Sequence, residues 1–188
     1  MKRLLLLLFV LTLMPAGINA QEQSQITLAI GGEEEEGYDP TLGWGRYGSP
    51  LFQSTLLRRD QDLDIVNDLA TGYSVSDDGL VWTVTIREDA IFTDGEAVTA
   101  EDVAYTFNTA AQSGGLTDVT VLDEAVVVDD FTVELRLSEA QSTFINRLVT
   151  LGIVPEHAHG EDYARNPMGS GPYKFVRWDE GQQLIVEA

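Results

Sequence analysis

Hydrophobic and polar positions along the chain follow two periods, and the switches between them mark the elements. Ile26, Leu28 and Ile30 alternate with Thr27 and Ala29, the pattern of a short half-buried strand that Gly31-Gly32 ends. Ser49-Pro50 offers a capping hydroxyl and then a proline, and Leu51, Phe52, Thr55 and Leu56 follow at helical spacing, which predicts a helix start there. Over Leu80–Arg87, Trp82, Val84 and Ile86 point one way and Thr83, Thr85 and Arg87 the other. The Asp77-Asp78-Gly79 turn before this strand predicts a hairpin partner at Ala70–Val75. Thr99-Ala100-Glu101-Asp102 has the form of a capping box with Asp in place of Glu or Gln. Val103, Phe107, Ala110 and Ala111 carry that helix along one face until Gly114-Gly115. A second hairpin follows, Ala125–Val128 and Phe131–Leu137, joined at Asp129-Asp130. Then come a short helix over Gln141–Val149, a helical segment opened by Pro155, and a strand through Tyr173, Phe175 and Arg177. Hairpins mixed with helices predict an α/β or α+β fold with a mixed sheet.

The start of the chain changes the picture of where this fold resides. Met1-Lys2-Arg3 is basic, Leu4 to Met14 is apolar apart from Thr12, and Pro15, Gly17 and Asn19 lead to Ala20. This predicts a secretory signal peptide over 1–20; the apolar run is about half the roughly twenty residues that a membrane span needs. Of the 188 residues, 31 are acidic and 11 basic, a net charge of −20, and residues 21–188 carry −22 with 9 basic side chains left. Such a charge argues against nucleic acid or an anionic membrane surface as partner, because both require Lys and Arg to replace counterions. The absence of Cys excludes disulfides, thiolate metal sites, a thiol nucleophile and a Cys-linked lipid. Export without Cys points to the bacterial periplasm or outer surface, with the periplasm expected, and a freely soluble protein.

Candidate chemistry is sparse. Gly43-Trp44-Gly45-Arg46-Tyr47-Gly48 matches G-x-G-x-x-G, but a dinucleotide site needs those glycines directly after a strand, and the predicted strand ends near Ile30. Two readings remain for this loop. Its glycines let Trp44, Arg46 and Tyr47 project into a ligand cleft, where aromatic faces and a guanidinium suit an anionic or amphiphilic ligand, or the same side chains pack at a domain edge. His157-Ala158-His159 gives two imidazoles without a third ligand, and an exposed turn after Pro155 is the preferred reading over a metal site. Glu33–Glu36 lacks the alternation of a calcium loop and reads as solvated. Gly169-Ser170-Gly171-Pro172 lacks the spacing of a nucleophile elbow, and no carboxylate pair stands out. The expectation is a binding protein without catalytic residues, metal or cofactor. The competing classes are a secreted acidic hydrolase and a non-catalytic acidic adhesion or scaffold module.

Several stretches taken in order add a family. Leu69-Ala70, Val75-Ser76-Asp77-Asp78-Gly79-Leu80-Val81-Trp82-Thr83-Val84-Thr85-Ile86-Arg87, Phe92-Thr93-Asp94-Gly95-Glu96, Thr99-Ala100-Glu101-Asp102-Val103, Ile153-Val154-Pro155-Glu156-His157 and Gly169-Ser170-Gly171-Pro172-Tyr173 together resemble the bacterial family 5 extracellular solute-binding proteins, which serve ABC importers of peptides and nickel. The resemblance implies a type II periplasmic binding protein-like fold of two lobes, with a subdomain inserted into the first. It divides the chain into the start of the first lobe at 21–45, the inserted subdomain at 46–165 and the return to the first lobe at 166–188. It also implies that the chain is the N-terminal portion of a longer protein, with the second lobe outside it. The implied partners are an oligopeptide, or as second choice a nickel complex, and the membrane subunits of an ABC permease. Trp44, Arg46 and Tyr47 fall in the stretch that approaches the cleft, and His157 is structural. Nickel binders of the family carry an Arg after the helix corresponding to Gln141–Val149, where this chain has Leu151-Gly152-Ile153.

Overall fold

The computed structural model describes residues 37–46 and 51–188. The predicted signal peptide, the strand at 26–30, the acidic run at 33–36, Tyr47 and the Ser49-Pro50 helix start lie outside the described residues.

The elements in chain order are β1 (Leu57–Arg59), β2 (Ile65–Asn67), β3 (Ala70–Val75), β4 (Val81–Ile86), α1 (Ala100–Ser113), β5 (Leu122–Asp129), β6 (Thr132–Leu137), α2 (Ile145–Thr150), β7 (Lys174–Asp179) and β8 (Gln183–Glu187). Single 3-10 turns at Ser142–Phe144 and Glu156–Ala158 precede α2 and follow Pro155. The central sheet has the order β3-β4-β6-β5, flanked by the two-stranded ladders β1-β2 and β7-β8. Every described strand pair is antiparallel, so the α/β character lies in packing hairpins against α1 rather than in parallel crossovers.

Alternation in the hairpins does what the pattern requires. Trp82, Val84 and Ile86 of β4 and Val133, Leu135 and Leu137 of β6 are buried, as are Val103, Phe107 and Ala110 of α1, all in one hydrophobic core. Each large side chain in such a place contributes about 1.5–3 kcal/mol. At the start of α1 the Asp102 carboxylate accepts from the Thr99 N–H at 2.9 Å and from its hydroxyl at 3.1 Å. Glu101 and Asp102 put negative charge on the positive end of the helix. Gly114 ends it in the left-handed conformation, φ 63°.

The helix expected to run from Ser49 through Leu56 is a correction. Residues 51–54 are bent and irregular, Thr55 bridges Gly152, and β1 starts at Leu57. Their backbone groups are claimed from far along the chain: Phe52 C=O accepts from Gly171 N–H at 2.7 Å and Ser54 C=O from Ile153 N–H at 2.9 Å. Phe52, Gln53, Thr55, Leu56 and Leu57 are all buried, and a segment buried on every side has no two-residue period to betray it.

A second apolar cluster lies beside the main core. Tyr38 is ringed edge-on by Trp44, Phe52 and Trp178 at centroid distances of 4.8, 5.6 and 5.0 Å, and Phe175 meets Phe52 at 5.8 Å. This cluster ties residues 37–46 to the β7-β8 hairpin. No described helix is long and apolar enough to cross a membrane.

Candidate functional site

The site begins with Asp39. Its Oδ1 accepts from the Thr41 N–H and hydroxyl, both at 2.8 Å. Its backbone carbonyl gathers the N–H groups of Leu42, Gly43 and Trp44 at 3.1, 3.2 and 3.0 Å. The result is a compact turn whose far end displays Trp44 and Arg46. Two glycines make it possible. Gly37 has φ +76° and would drive a Cβ into the Ala164 carbonyl, while Gly43 has φ +126° with only 2.7 Å between a Cβ and that of Leu116. The first glycine of the G-x-G-x-x-G match therefore serves packing against Leu116, not an approach to phosphate.

Trp44 and Arg46 are half-buried on this turn, and the Arg46 Nη1 donates to the Gly43 carbonyl at 3.1 Å. The Trp44 indole N–H is buried and meets no acceptor among the described residues. Tyr47, the third expected ligand residue, lies outside the described residues. The structure thus places Trp44 and Arg46 on one turn.

The body of the protein grips this turn from three directions. From the end of α1, the Ser113 hydroxyl donates to Thr41 C=O at 2.7 Å, Leu116 N–H to Leu42 C=O at 3.1 Å, and the Thr117 hydroxyl to Pro40 C=O at 3.4 Å. From the chain after Gly160, Tyr38 N–H donates to Ala164 C=O at 2.7 Å. The third grip is His159: its Nε2 lies 2.9 Å from Asp39 Oδ2 and its Nδ1 2.9 Å from the Tyr105 hydroxyl. A carboxylate only accepts, so Nε2 carries the proton toward Asp39, and Nδ1 engages the Tyr105 hydroxyl. The His159 and Asp39 side chains are 9% and 7% exposed. The expected exposed turn after Pro155 therefore holds for His157, 44% exposed and 2.7 Å from Asp94, and fails for His159. Asp94 is held below the usual carboxylate range chiefly by its bond to His157. The two imidazoles part company, and among the described residues no three His or carboxylate side chains assemble as a metal site.

Below the turn, the Gln53 side-chain amide donates to the Tyr163 hydroxyl at 2.9 Å and to Tyr38 C=O at 3.3 Å, and Tyr163 donates to Met168 C=O. Burial raises the Tyr163 phenol well above its ordinary value. Two open concavities of about 430 and 440 Å³ lie on either side of Ser170-Gly171, one reaching Phe92 and Asp94, the other Gln53, Arg58 and Asp68. Neither is lined by Trp44 or Arg46. Asp39, Tyr105 and Gln53 are not singled out by the sequence, and His159 only as half of an imidazole pair, since their significance lies in partners more than fifty positions away.

The fold defines the class. The NikZ structure from Campylobacter jejuni in complex with Ni(L-His) superposes with a TM-score of 0.76 at 24% identity, covering 83% of this chain and 34% of that one. AppA from Bacillus subtilis in complex with a nonapeptide gives 0.68 at 29% identity, with 73% and 30% covered. This is the type II fold of periplasmic binding proteins. Among curated relatives, Protein XP55 of Streptomyces lividans is 35% identical over 183 residues, 92% of this chain and 33% of its own length. The glutathione-binding protein GsiB of Pectobacterium atrosepticum is 30% identical over 159 residues, 80% of this chain and 31% of its own. The family model for bacterial extracellular solute-binding proteins, family 5 Middle, matches residues 64–188. The chain belongs to this family. It spans about a third of the length of the curated relatives it matches.

Proposed function

We propose that this chain is part of the solute-binding component of an ABC import system, exported to the periplasm, which captures a peptide-like solute and hands it to the permease. The observation that carries the reading is the family match through residues 64–188 on a type II binding fold. Relatives whose names state a ligand include proteins for glutathione, D,D-dipeptides and oligopeptides. In this reading residues 1–20 are a signal peptide, 21–45 open the first lobe, 46–165 form the inserted subdomain and 166–188 return to the first lobe. Trp44, Arg46 and Tyr47 face the solute: the guanidinium pairs with a carboxylate and the aromatic rings supply apolar walls. Nothing is turned over; bound solute shifts the population of lobes toward the closed state.

The test is calorimetry on the whole protein against glutathione and peptides of two to nine residues, with Ni(L-His) alongside. Binding of a peptide that weakens about tenfold or more in W44A and R46A supports the reading, since each variant loses a directed contact. Absence of peptide binding, or binding untouched by both variants, refutes it.

A further inference from the structure

We infer that His159 is a positioning residue for the solute-facing turn: through Asp39 it holds the Trp44–Arg46 end of that turn in register with the body of the protein. The inference rests on the reading that this turn faces solute. Asp39 is where the turn's bonds converge, because the same residue binds Thr41 through Oδ1 and Leu42, Gly43 and Trp44 through its carbonyl. Its remaining carboxylate oxygen, Oδ2, takes the bond from His159 at 2.9 Å. A buried imidazole therefore joins the Tyr38–Ala164 backbone bond in tying the origin of the turn to the segment after Pro155.

The geometry of the imidazole supports this role. Tyr105 and Tyr163 close on its ring at centroid distances of 5.5 and 4.7 Å, and the Tyr105 hydroxyl engages Nδ1. With both nitrogens engaged and two tyrosine rings in contact, the ring is held so that Nε2 stays aimed at Asp39. A charge-assisted bond in such surroundings is stronger than a neutral one and holds a direction as well. The three contacts from the end of α1 grip Pro40, Thr41 and Leu42 from the other side. They leave Asp39 to be held by His159.

A pair of matched substitutions separates positioning from mere packing. His159→Gln removes the ring but can still place an N–H near the position of Nε2 and so keep the Asp39 bond. His159→Asn removes the ring and retains a polar atom near Nδ1, keeping Tyr105 and losing Asp39. Tyr105→Phe severs the Tyr105 bond alone. The experiment reads hydrogen exchange at the amides of Leu42, Gly43 and Trp44 in the full chain, with the melting temperature as a measure of overall cost. The expected result is exchange about tenfold or more faster in H159N than in H159Q or Y105F, at similar melting temperatures for the two His159 variants. Glutathione or a bound peptide from the calorimetric series should weaken in H159N and be largely retained in H159Q. Equal exchange at these amides in H159N and H159Q overturns the inference. If the wild type binds no peptide, the functional reading falls, and the exchange comparison still decides whether His159 sets the turn.

Discussion

Replacing Asp102 by Ala tests whether one buried carboxylate joins a helix cap to the segment that carries His159. Asp102 is 6% exposed, and its Oδ2 caps α1 through Thr99. Its Oδ1 reaches 54 positions along the chain and accepts from the Glu156 N–H at 3.0 Å. Loss of the cap costs about 1 kcal/mol. Losing the part-buried bond to the Glu156 N–H adds about 1–2 kcal/mol. A total of about 2–3 kcal/mol lowers the melting temperature of a chain this size by about 5–10 °C. Urea denaturation followed by circular dichroism measures it, with Thr99→Ala as the control that removes only the hydroxyl part of the cap. T99A should lose no more than about 1 kcal/mol, and the double variant should fall well short of the sum because the two residues share a bond. Stability of D102A within about 0.5 kcal/mol of wild type, the ordinary range for surface substitutions, would refute the reasoning.

Other consequences follow from burial and charge. Desolvation, the largest influence, raises the Asp68 carboxyl despite its bond from Thr55 and the nearby Arg58 and Arg87. Keeping it ionised at neutral pH therefore costs stability, and D68N should be more stable than wild type at pH 7, with the advantage gone below about pH 4, measured by denaturation at both. Burial raises the Tyr163 phenol, so stability should be intact below about pH 10 and fall above it, with Tyr163 ionising only as the protein unfolds; tyrosinate absorbance against circular dichroism checks this, and full ionisation of all six tyrosines while the fold persists would contradict it. The Asp94 carboxyl is depressed chiefly by His157, so the stability it contributes is present above about pH 4 and lost as the pH falls further; D94N should show a shallower acid limb in the same titration. Phe107, fully buried between α1 and the sheet, should cost about 3–5 kcal/mol on truncation to Ala, read from the urea midpoint.

The parts of the fold that were legible in the sequence are those whose physics is local. The β3-β4 and β5-β6 hairpins announce themselves because one face is buried and the other is wet, and their acidic turns fall between alternating runs. The start of α1 is readable because its cap is made by neighbours. The stretch 51–57 was misread because it is buried on all sides and spends its backbone bonds on Gly171 and Ile153. The short β1-β2 ladder escaped because only three residues pair on each side and its turn is set by the Asp60 carboxylate, which binds the amides of Asp62 and Asp64 at 2.9 and 3.0 Å. At the candidate site, Trp44 and Arg46 were visible as unusual side chains among glycines. Asp39 and His159 were not, since nothing in the pattern around either position points to a partner 120 positions away.

That separation has a bearing on the order in which the molecule takes shape. Synthesis delivers the N-terminal part first, and the bonds that hold the first residues of the turn come from late in the chain: Ala164 to Tyr38 and His159 to Asp39. Closing loops of more than a hundred residues is entropically dearer than closing the nearby hairpins. A nascent chain that has emerged only as far as β6 holds every strand of the central sheet, α1 and the contacts of Ser113, Leu116 and Thr117, while Tyr38 and Asp39 still lack theirs. The segment after Pro155 is thus the last piece to set the turn that carries Trp44 and Arg46.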